Sequence, residues 1–466
     1  MPVAAPARAG ATAAPTAATS ATTTQNRPGV PPTGANLAGW VKRDAATLHA
    51  LMVEIEHGTL ANGLPLVRLA MPGTRAVTAL VAFEAGARTE HAEENGMAHF
   101  LEHLVFKGGE KFPHYRDVNE TAERLGAQLI AYTSHDVVAF HITCRSEAAM
   151  SAVDLLTDFV GRARIDAEEL DRERGVVVQE IARSDDQPSS VADRLLDRAT
   201  YGDHPLGRSV LGPAEHLKGF PRAGILAFRD RQWAPERGGA FVAGDLSHVD
   251  VDGLGEAFER FATVGAANGV EPAPDFDRRV MVEGRDTQQS HLRLHWRPSI
   301  DPGDLRQRAA LTVTSTLLGG SMGSRLFDEI REQRGLCYAI RSYGSAHADA
   351  PRLDVSSGLD SSKCIEAYER IKEIVADLAA NGPHDGEVEH ARAYAAGSAV
   401  LMLESTGAVA SRAAREKVVF GELRSPDDAI AALDAVTPDD VREVASRLEG
   451  GPVVACVGPH AVEDFN

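Results

Sequence analysis

Cysteine is scarce in this chain of 466 residues, and its four cysteines are widely scattered. Cys144, Cys337, Cys364 and Cys456 include no Cys-x-x-Cys pair. Closely spaced pairs mark structural zinc knuckles, and dense cysteine patterns mark disulfide-stabilised secreted domains. The sequence therefore predicts neither a disulfide framework nor a zinc knuckle, and it favours a reducing compartment.

Positive charge and long apolar runs are also in short supply. Lys and Arg number 48 against 67 Asp and Glu, which gives a formal net charge of -19. This balance argues against general nucleic-acid binding, and it suits either an ordinary acidic surface or an acidic chamber that attracts basic peptides. No apolar run approaches the roughly 18 residues that a membrane-spanning helix needs, so no span is predicted.

The N-terminal segment contains little that a core could bury. Residues 1–37 are mainly Ala, Thr, Pro and Gly, and the first acidic residue is Asp44. We therefore expect a disordered tail over residues 1–43, followed by a short helix over residues 44–52. The tail has no continuous apolar region for secretion and few arginines for a mitochondrial presequence, so a bacterial-type cytoplasmic location is predicted, with an organelle matrix as the alternative.

The most informative stretch, residues 95–107, reads Asn-Gly-Met-Ala-His-Phe-Leu-Glu-His-Leu-Val-Phe-Lys. His99, Glu102 and His103 share one helix face, because residues three and four positions apart are neighbours on a helix. Burying them among apolar side chains is costly unless a partner satisfies them, and a divalent cation suits all three. The motif predicts a zinc site; the alternative is a pair of ordinary core histidines.

A catalytic zinc usually has three protein ligands, and a carboxylate is the typical companion of two histidines. The candidate is Glu180, in a helix predicted over residues 167–183. Glu173 lies two turns earlier on the same face and is predicted to orient a ligand histidine from behind. Glu102 lies too close to the metal to bind squarely and is predicted to be the general base. Without a metal, Glu180 would be an ordinary surface residue.

Together these residues resemble the inverzincin zinc metallopeptidases of the pitrilysin, insulin-degrading enzyme and mitochondrial processing peptidase family. The resemblance rests on the string from Gly96 to Gly108 and on the spacing from His103 to Glu180, and it covers most of the chain from Val53 onward. It implies Zn²⁺ as cofactor and peptides as substrates. The expected activity is endopeptidase cleavage of extended or presequence-like peptides inside a chamber.

The resemblance also assigns a substrate strand. In the family an edge strand binds an extended peptide main chain to main chain, and Ala131, Tyr132 and Thr133 match this strand. The sequence departs from the family pattern at Ile130, where Asn is usual. An ordinary sheet strand explains the same residues without a substrate.

A second segment matches the family in the other half of the chain. Arg331 and Tyr338 stand seven positions apart, at the family's spacing, in a segment that reads as a Gly-rich entry, an amphipathic helix and a strand-like tail. By resemblance, Arg331 would hold a substrate carbonyl and Tyr338 would donate to the developing oxyanion. As structural residues they would be a surface arginine and a half-buried tyrosine.

The order of strands and helices predicts an α+β protein with two similar domains, each a mainly antiparallel β-sheet flanked by helices. The expected boundaries are 44–265 for the zinc-binding domain, 266–277 for a linker and 278–466 for the C-terminal domain. The resemblance implies a homodimer whose sites are completed in trans. A non-catalytic core subunit and one chain of an obligate heterodimer are the alternatives, and the intact zinc set and Arg/Tyr pair argue against them.

Overall fold

The computed structural model describes residues 53–261, 269–275, 277–448 and 451–466. The predictions for the N-terminal tail and for a helix over residues 44–52 lie outside this part of the chain. The described residues belong to one compact unit. Among its helices, none combines the length and the apolar character needed to cross a membrane.

The first half contains one sheet and the helices around it. Its strands are β1 (Glu54–Thr59), β2 (Pro65–Ala70), β3 (Ala76–Phe83), β4 (Gln128–Thr133), β5 (Val138–Arg145) and β6 (Gly238–Gly244). Its helices are α1 (Met97–Val105), α2 (Tyr115–Arg124), α3 (Ala149–Gly161), α4 (Ala167–Asp185), α5 (Pro188–Tyr201), α6 (Ala214–Gly219), α7 (Arg222–Gln232) and α8 (Val251–Phe258).

The second half contains another sheet and its helices. Its strands are β7 (Val280–Gly284), β8 (Gln289–Trp296), β9 (Cys337–Ala346), β10 (Pro351–Asp360) and β11 (Val453–Gly458). Its α-helices are α9 (Leu305–Ser315), α10 (Cys364–Asn381), α11 (Glu387–Met402), α12 (Thr406–Phe420), α13 (Pro426–Asp434) and α14 (Pro438–Ser446). There are also two π-helical segments, Thr316–Gly320 at the start of the Gly-rich stretch and Phe327–Gln333 after it, where the amphipathic helix was predicted.

The two sheets repeat one topology. The first has the strand order β1-β2-β6-β3-β5-β4, and the second has the order β7-β11-β8-β10-β9. Each sheet has one parallel pair, β2 with β6 and β7 with β11, while the remaining pairs are antiparallel. Strand for strand, the second sheet corresponds to the first without β1. This confirms the predicted α+β fold with two similar, mainly antiparallel units.

The central strand β3 is buried on both faces, which explains why all of its residues except Thr78 are apolar. Val77, Ala79 and Val81 belong to the large core of the first half. Leu80 and Ala82 point to the opposite face, where they cluster with apolar residues of α12. Side chains alternate across a strand, so one sheet separates two apolar layers.

The two halves exchange helices. Helix α12, from the second half, packs on β3 and β6, and Thr406 and Thr78 share a hydrogen bond of 2.8 Å between their hydroxyl oxygens. Helix α5, from the first half, packs on β8 and β11, and Arg293 Nε donates to Asp193 Oδ1 at 2.5 Å. The predicted boundaries at 265 and 278 stay a prediction, since packing interleaves the halves.

Candidate metal centre

The start of α1 is fixed by a close approach of two backbone segments. Gly96 precedes the helix with a φ of +98°, which L-residues rarely adopt. A Cβ at this position would lie 2.8 Å from the carbonyl oxygen of Leu211 and 2.9 Å from the Cα of Gly212. Only glycine satisfies both conditions, so this contact sets where α1 begins.

A buried carboxylate holds the first turn of α1. Glu90 Oε1 accepts from the Ala98 amide at 2.7 Å, and Oε2 accepts from the Gly96 amide and the Asn95 side-chain amide, each at 3.0 Å. Amides at a helix start have no partner within the helix, and Glu90 satisfies two of them. Complete burial raises the pKa of Glu90 to about 7, although these hydrogen bonds oppose the rise. Sequence reasoning missed Glu90, because no local capping pattern links it to the helix.

Helices α1 and α4 bring together the three predicted zinc ligands. Glu180 Oε2 lies 3.3 Å from His103 Nε2 and 3.9 Å from His99 Nε2. One donor atom from each residue lies within 4.8 Å of the other two. Ligands of a tetrahedral zinc, at bond lengths of about 2.0–2.2 Å, are separated by about 3.3–3.5 Å. The donor set therefore fits a zinc ion in both chemistry and spacing.

Hydrogen bonding and charge prepare His103 and His99 as ligands. Glu173 Oε1 lies 2.9 Å from His103 Nδ1, which places the proton there and leaves Nε2 for a metal. Burial opposes the charged form of His103, but Glu173 and Glu180 outweigh it and raise its pKa to about 9. Without a metal the His103 ring is therefore charged, and a cation bound at Nε2 would replace the proton there. Burial, followed by the nearby His103, lowers the pKa of His99 to about 4 and keeps it neutral.

Glu102 lies beside this cluster and contacts the predicted substrate strand. The Thr133 hydroxyl of β4 donates to Glu102 Oε2 at 2.6 Å. Burial raises the pKa of Glu102, and the bond from Thr133 partly counteracts the rise. The structure therefore brings Glu102 and Thr133 into one site with the histidines.

Strand β4 is the last strand of its sheet and pairs with β5 along one side only. Leu129 and Ala131 pack against the large core. On the opposite face, Tyr132 packs toward α12, and Ile130 is 45% exposed. The open side of the strand leaves main-chain groups available for pairing with another strand.

Tyr338 lies at the start of β9, the edge strand of the second sheet, and Arg331 lies in the π-helical segment that precedes this strand. The Arg331 guanidinium carbon is 4.6 Å from the ring centroid of Phe327 and 5.9 Å from that of Tyr338. Tyr338 is 79% exposed, so it is not the half-buried residue of the structural alternative. Within the described part of the chain, neither residue forms a hydrogen bond or ion pair with the zinc ligands.

A two-histidine, one-carboxylate cluster beside a buried carboxylate is typical of zinc-dependent hydrolases. Two family descriptions match the sequence: Insulinase (Peptidase family M16) over residues 67–214 and Peptidase M16 inactive domain over residues 220–394. The chain belongs to peptidase family M16, as the resemblance implied.

Relatives and solved structures agree with this assignment. The chain is 33% identical to an uncharacterized zinc protease of Bacillus subtilis, over 84% of this chain and 95% of the relative. It is 32% identical to an uncharacterized zinc protease of Streptomyces coelicolor, over 88% of this chain and 92% of the relative. A crystal structure of a peptidase M16 inactive domain from Pseudomonas fluorescens shares the fold, with a TM-score of 0.81, 19% identity and coverage of 88% of this chain and 99% of that one.

Proposed function

We propose that this protein is a zinc-dependent endopeptidase whose metal is held by His99, His103 and Glu180. The observation that carries the proposal is the spacing of the donor atoms, with Glu180 Oε2 at 3.3 and 3.9 Å from the two imidazoles. The names of the Bacillus and Streptomyces relatives, both zinc proteases, support the choice of metal.

A zinc ion bound there supplies activation of a water molecule and polarisation of the scissile carbonyl. Glu102 accepts a proton from the attacking water and returns it to the leaving amine. Burial raises the pKa of Glu102 toward the operating pH, which suits a group that must both take and give a proton. Glu173 holds His103 in the tautomer that directs Nε2 to the metal.

The substrate lies along β4. An extended peptide pairs with the open side of this strand through main-chain hydrogen bonds, which give affinity with little demand on sequence. Thr133 then couples the strand to Glu102 through its hydroxyl. Extended or presequence-like peptides that enter a chamber are the substrate class, and the cytoplasm is the proposed location.

Arg331 and Tyr338 complete the site from a second copy of the chain. Tyr338 is 79% exposed on an edge strand, and its ring centroid lies 5.9 Å from the guanidinium carbon of Arg331. In a two-fold dimer each chain contributes its zinc ligands to one site and its tyrosine to the other. Arg331 would hold the substrate carbonyl, and Tyr338 would donate to the oxyanion.

Metal content and peptide hydrolysis test the proposal together. We expect His103→Ala to lose about one zinc per chain and all measurable hydrolysis, because a zinc site with two remaining ligands binds weakly. An intact zinc content in folded His103→Ala protein would contradict the ligand assignment. The peptides used as substrates in this assay should also remain uncleaved by chelator-treated wild-type protein until zinc is restored.

A further inference from the structure

Two cysteines that lie far apart in the sequence meet in the second half of the fold. Cys364 is the first residue of α10, and Cys456 lies in β11, the strand that α5 covers from the other face. Together with His460 they place three donor atoms within 4.8 Å of one another. Both cysteines are 0% exposed, and neither forms a disulfide. The cluster therefore combines two buried sulfurs with one imidazole.

A chain of hydroxyl groups fixes which nitrogen of His460 is free. Ser361 Oγ donates to the Thr287 carbonyl oxygen at 3.0 Å, and Ser290 Oγ donates to Ser361 Oγ at 3.0 Å. Since the Ser290 hydrogen is already used, its oxygen must accept from His460 Nε2 at 2.7 Å. The proton of the neutral ring is then on Nε2. The lone pair of Nδ1 stays available to bind a metal ion.

The nearest charged group does not occupy that lone pair. Asp464 Oδ2 lies 3.9 Å from His460 Nδ1, which is too far for a hydrogen bond. The tautomer set by the hydroxyl chain is the one that metal-binding histidines adopt when their other nitrogen donates outward.

The surroundings leave little freedom to the cluster. A Cβ on Gly458 would lie 2.4 Å from Ser290 Oγ and 3.2 Å from His460 Cδ2, so glycine is needed for these two side chains to meet. The ring of Phe465 contacts the His460 ring edge-on, with centroids 5.8 Å apart. His460 is thereby held between β8 and the C-terminal residues. The donor set is preorganised, which lowers the cost of binding.

We propose that Cys364, Cys456 and His460 form a second metal site, which binds a thiophilic closed-shell ion, zinc in the first instance. Zinc bonded at about 2.3 Å to sulfur and about 2.1 Å to nitrogen separates its ligands by about 3.6–3.8 Å in tetrahedral geometry, within the span of this cluster. Binding replaces the two thiol protons by the metal and releases them to solvent. A water molecule or Asp464 supplies the fourth ligand. The ion would tie the first turn of α10 to β11 and has no part in peptide hydrolysis.

A sulfur pair could also serve as a reversible disulfide. A disulfide would use the same two sulfurs but would give no role to His460 or to the hydroxyl chain behind it. The metal site accounts for all three donors.

The test uses the full chain, purified with a thiol reductant, stripped with a chelator and reloaded with Zn²⁺ alone. The wild type should retain about two zinc ions per chain after dialysis, and His103→Ala and Cys456→Ala about one each, since each removes a ligand of a different site. The double variant should retain none. Cys144→Ala, which removes a buried cysteine outside the cluster, should behave as the wild type.

Cobalt gives a spectroscopic readout that does not depend on counting metal ions per chain. Co²⁺ loaded into His103→Ala should show thiolate-to-cobalt charge-transfer absorption, and His460→Gln in the same background should weaken or abolish it. Circular dichroism of each variant verifies that it is folded. Should Cys456→Ala prove unfolded, the His460→Gln comparison decides the question alone.

Two results would overturn the second site. The first is folded His103→Ala protein that binds neither zinc nor cobalt after reloading. The second is a Cys364–Cys456 disulfide found by mass spectrometry in protein whose thiols were blocked at lysis. Neither result bears on the peptidase site, whose test is the loss of zinc and hydrolysis on changing His103 in an otherwise intact chain.

Discussion

At the scale of single residues, the candidate peptidase site separates ligation from proton transfer. His103 offers Nε2 to the metal and Nδ1 to Glu173, whereas Glu102 faces the same space but bonds to Thr133. A ligand and a base are therefore distinguishable by experiment, because removing one should empty the site and removing the other should not.

We expect Glu102→Gln to keep its zinc and lose turnover. Glutamine has nearly the same shape but cannot accept the proton, and a positioned general base contributes about 10²- to 10⁴-fold to the rate. Zinc content and kcat should be measured on one preparation. Full peptidase activity in this variant would show that the assigned base is wrong.

Glu90 should make stability depend on pH. Its pKa rises from 4.5 to about 7 on folding, so the folded protein holds a proton that the unfolded chain has released between these values. Stability from this group is therefore present below pH 4.5 and is lost as the pH rises through 7, by about 3 kcal/mol in all. Glu90→Gln, which cannot ionise, should lack this loss.

The measurement is urea unfolding of both proteins at several pH values. Subtracting the free energy of unfolding of Glu90→Gln from that of the wild type cancels the contribution of the other titrating groups. This difference should fall between pH 5 and pH 7. A difference that stays flat or grows with pH would contradict the raised pKa.

At the scale of elements, the site depends on α1, α4 and β4 meeting at one place. Thr133→Val keeps the shape of its side chain but removes the hydrogen bond from β4 to Glu102. Because this bond lowers the pKa of Glu102, its loss should move the acidic limb of the kcat/KM profile to higher pH. Activity should fall about tenfold, because a hydrogen bond to a charged group contributes about 1.5 kcal/mol.

Thr121→Val, at a half-buried position of α2 where the hydroxyl accepts from Arg124 and not from the site, serves as the matched control and should leave the profile unchanged. An unshifted acidic limb in Thr133→Val would mean that Thr133 does not tune the base.

Local patterns predicted those parts of the site whose signal lies within one element. The helix expected over residues 167–183 is α4, Ala167–Asp185, and the strand holding Ala131 and Thr133 is β4. The spacing of His99, Glu102 and His103 needs only helical geometry. Their role as zinc ligands and base stays a prediction until metal is measured.

The parts that sequence reasoning missed depend on contacts between distant segments. Glu90 reaches the amides of α1 across a turn that no capping pattern describes. Cys364 and Cys456 come together only because α10 packs against the sheet that contains β11. The π-helical segment Phe327–Gln333 replaces a predicted regular helix, since periodicity does not distinguish the two.

At the scale of the whole molecule, the proposed dimer can be tested by mixing two defective proteins. Glu102→Gln lacks the base and Tyr338→Phe lacks the oxyanion donor. If sites are completed in trans, each mixed dimer contains one wild-type site and one doubly defective site. After full exchange of equal amounts, about a quarter of all sites are wild type, and activity should rise toward that fraction.

Native mass spectrometry of differently tagged subunits confirms the exchange. If mixed dimers form and activity stays at the average of the two parents, the site is completed within one chain and the trans arrangement is wrong.

The exchange of α5 and α12 has a further consequence for the chain as one polypeptide. Each sheet is covered on one face by a helix encoded in the other half. A chain severed between α8 and β7 would give two fragments, each with an uncovered apolar sheet face and a helix lacking its sheet. We expect neither fragment to be soluble alone, and both to recover zinc binding and co-purify when co-expressed. The peptide link between the halves would then be dispensable, and the protein could survive as the product of two genes.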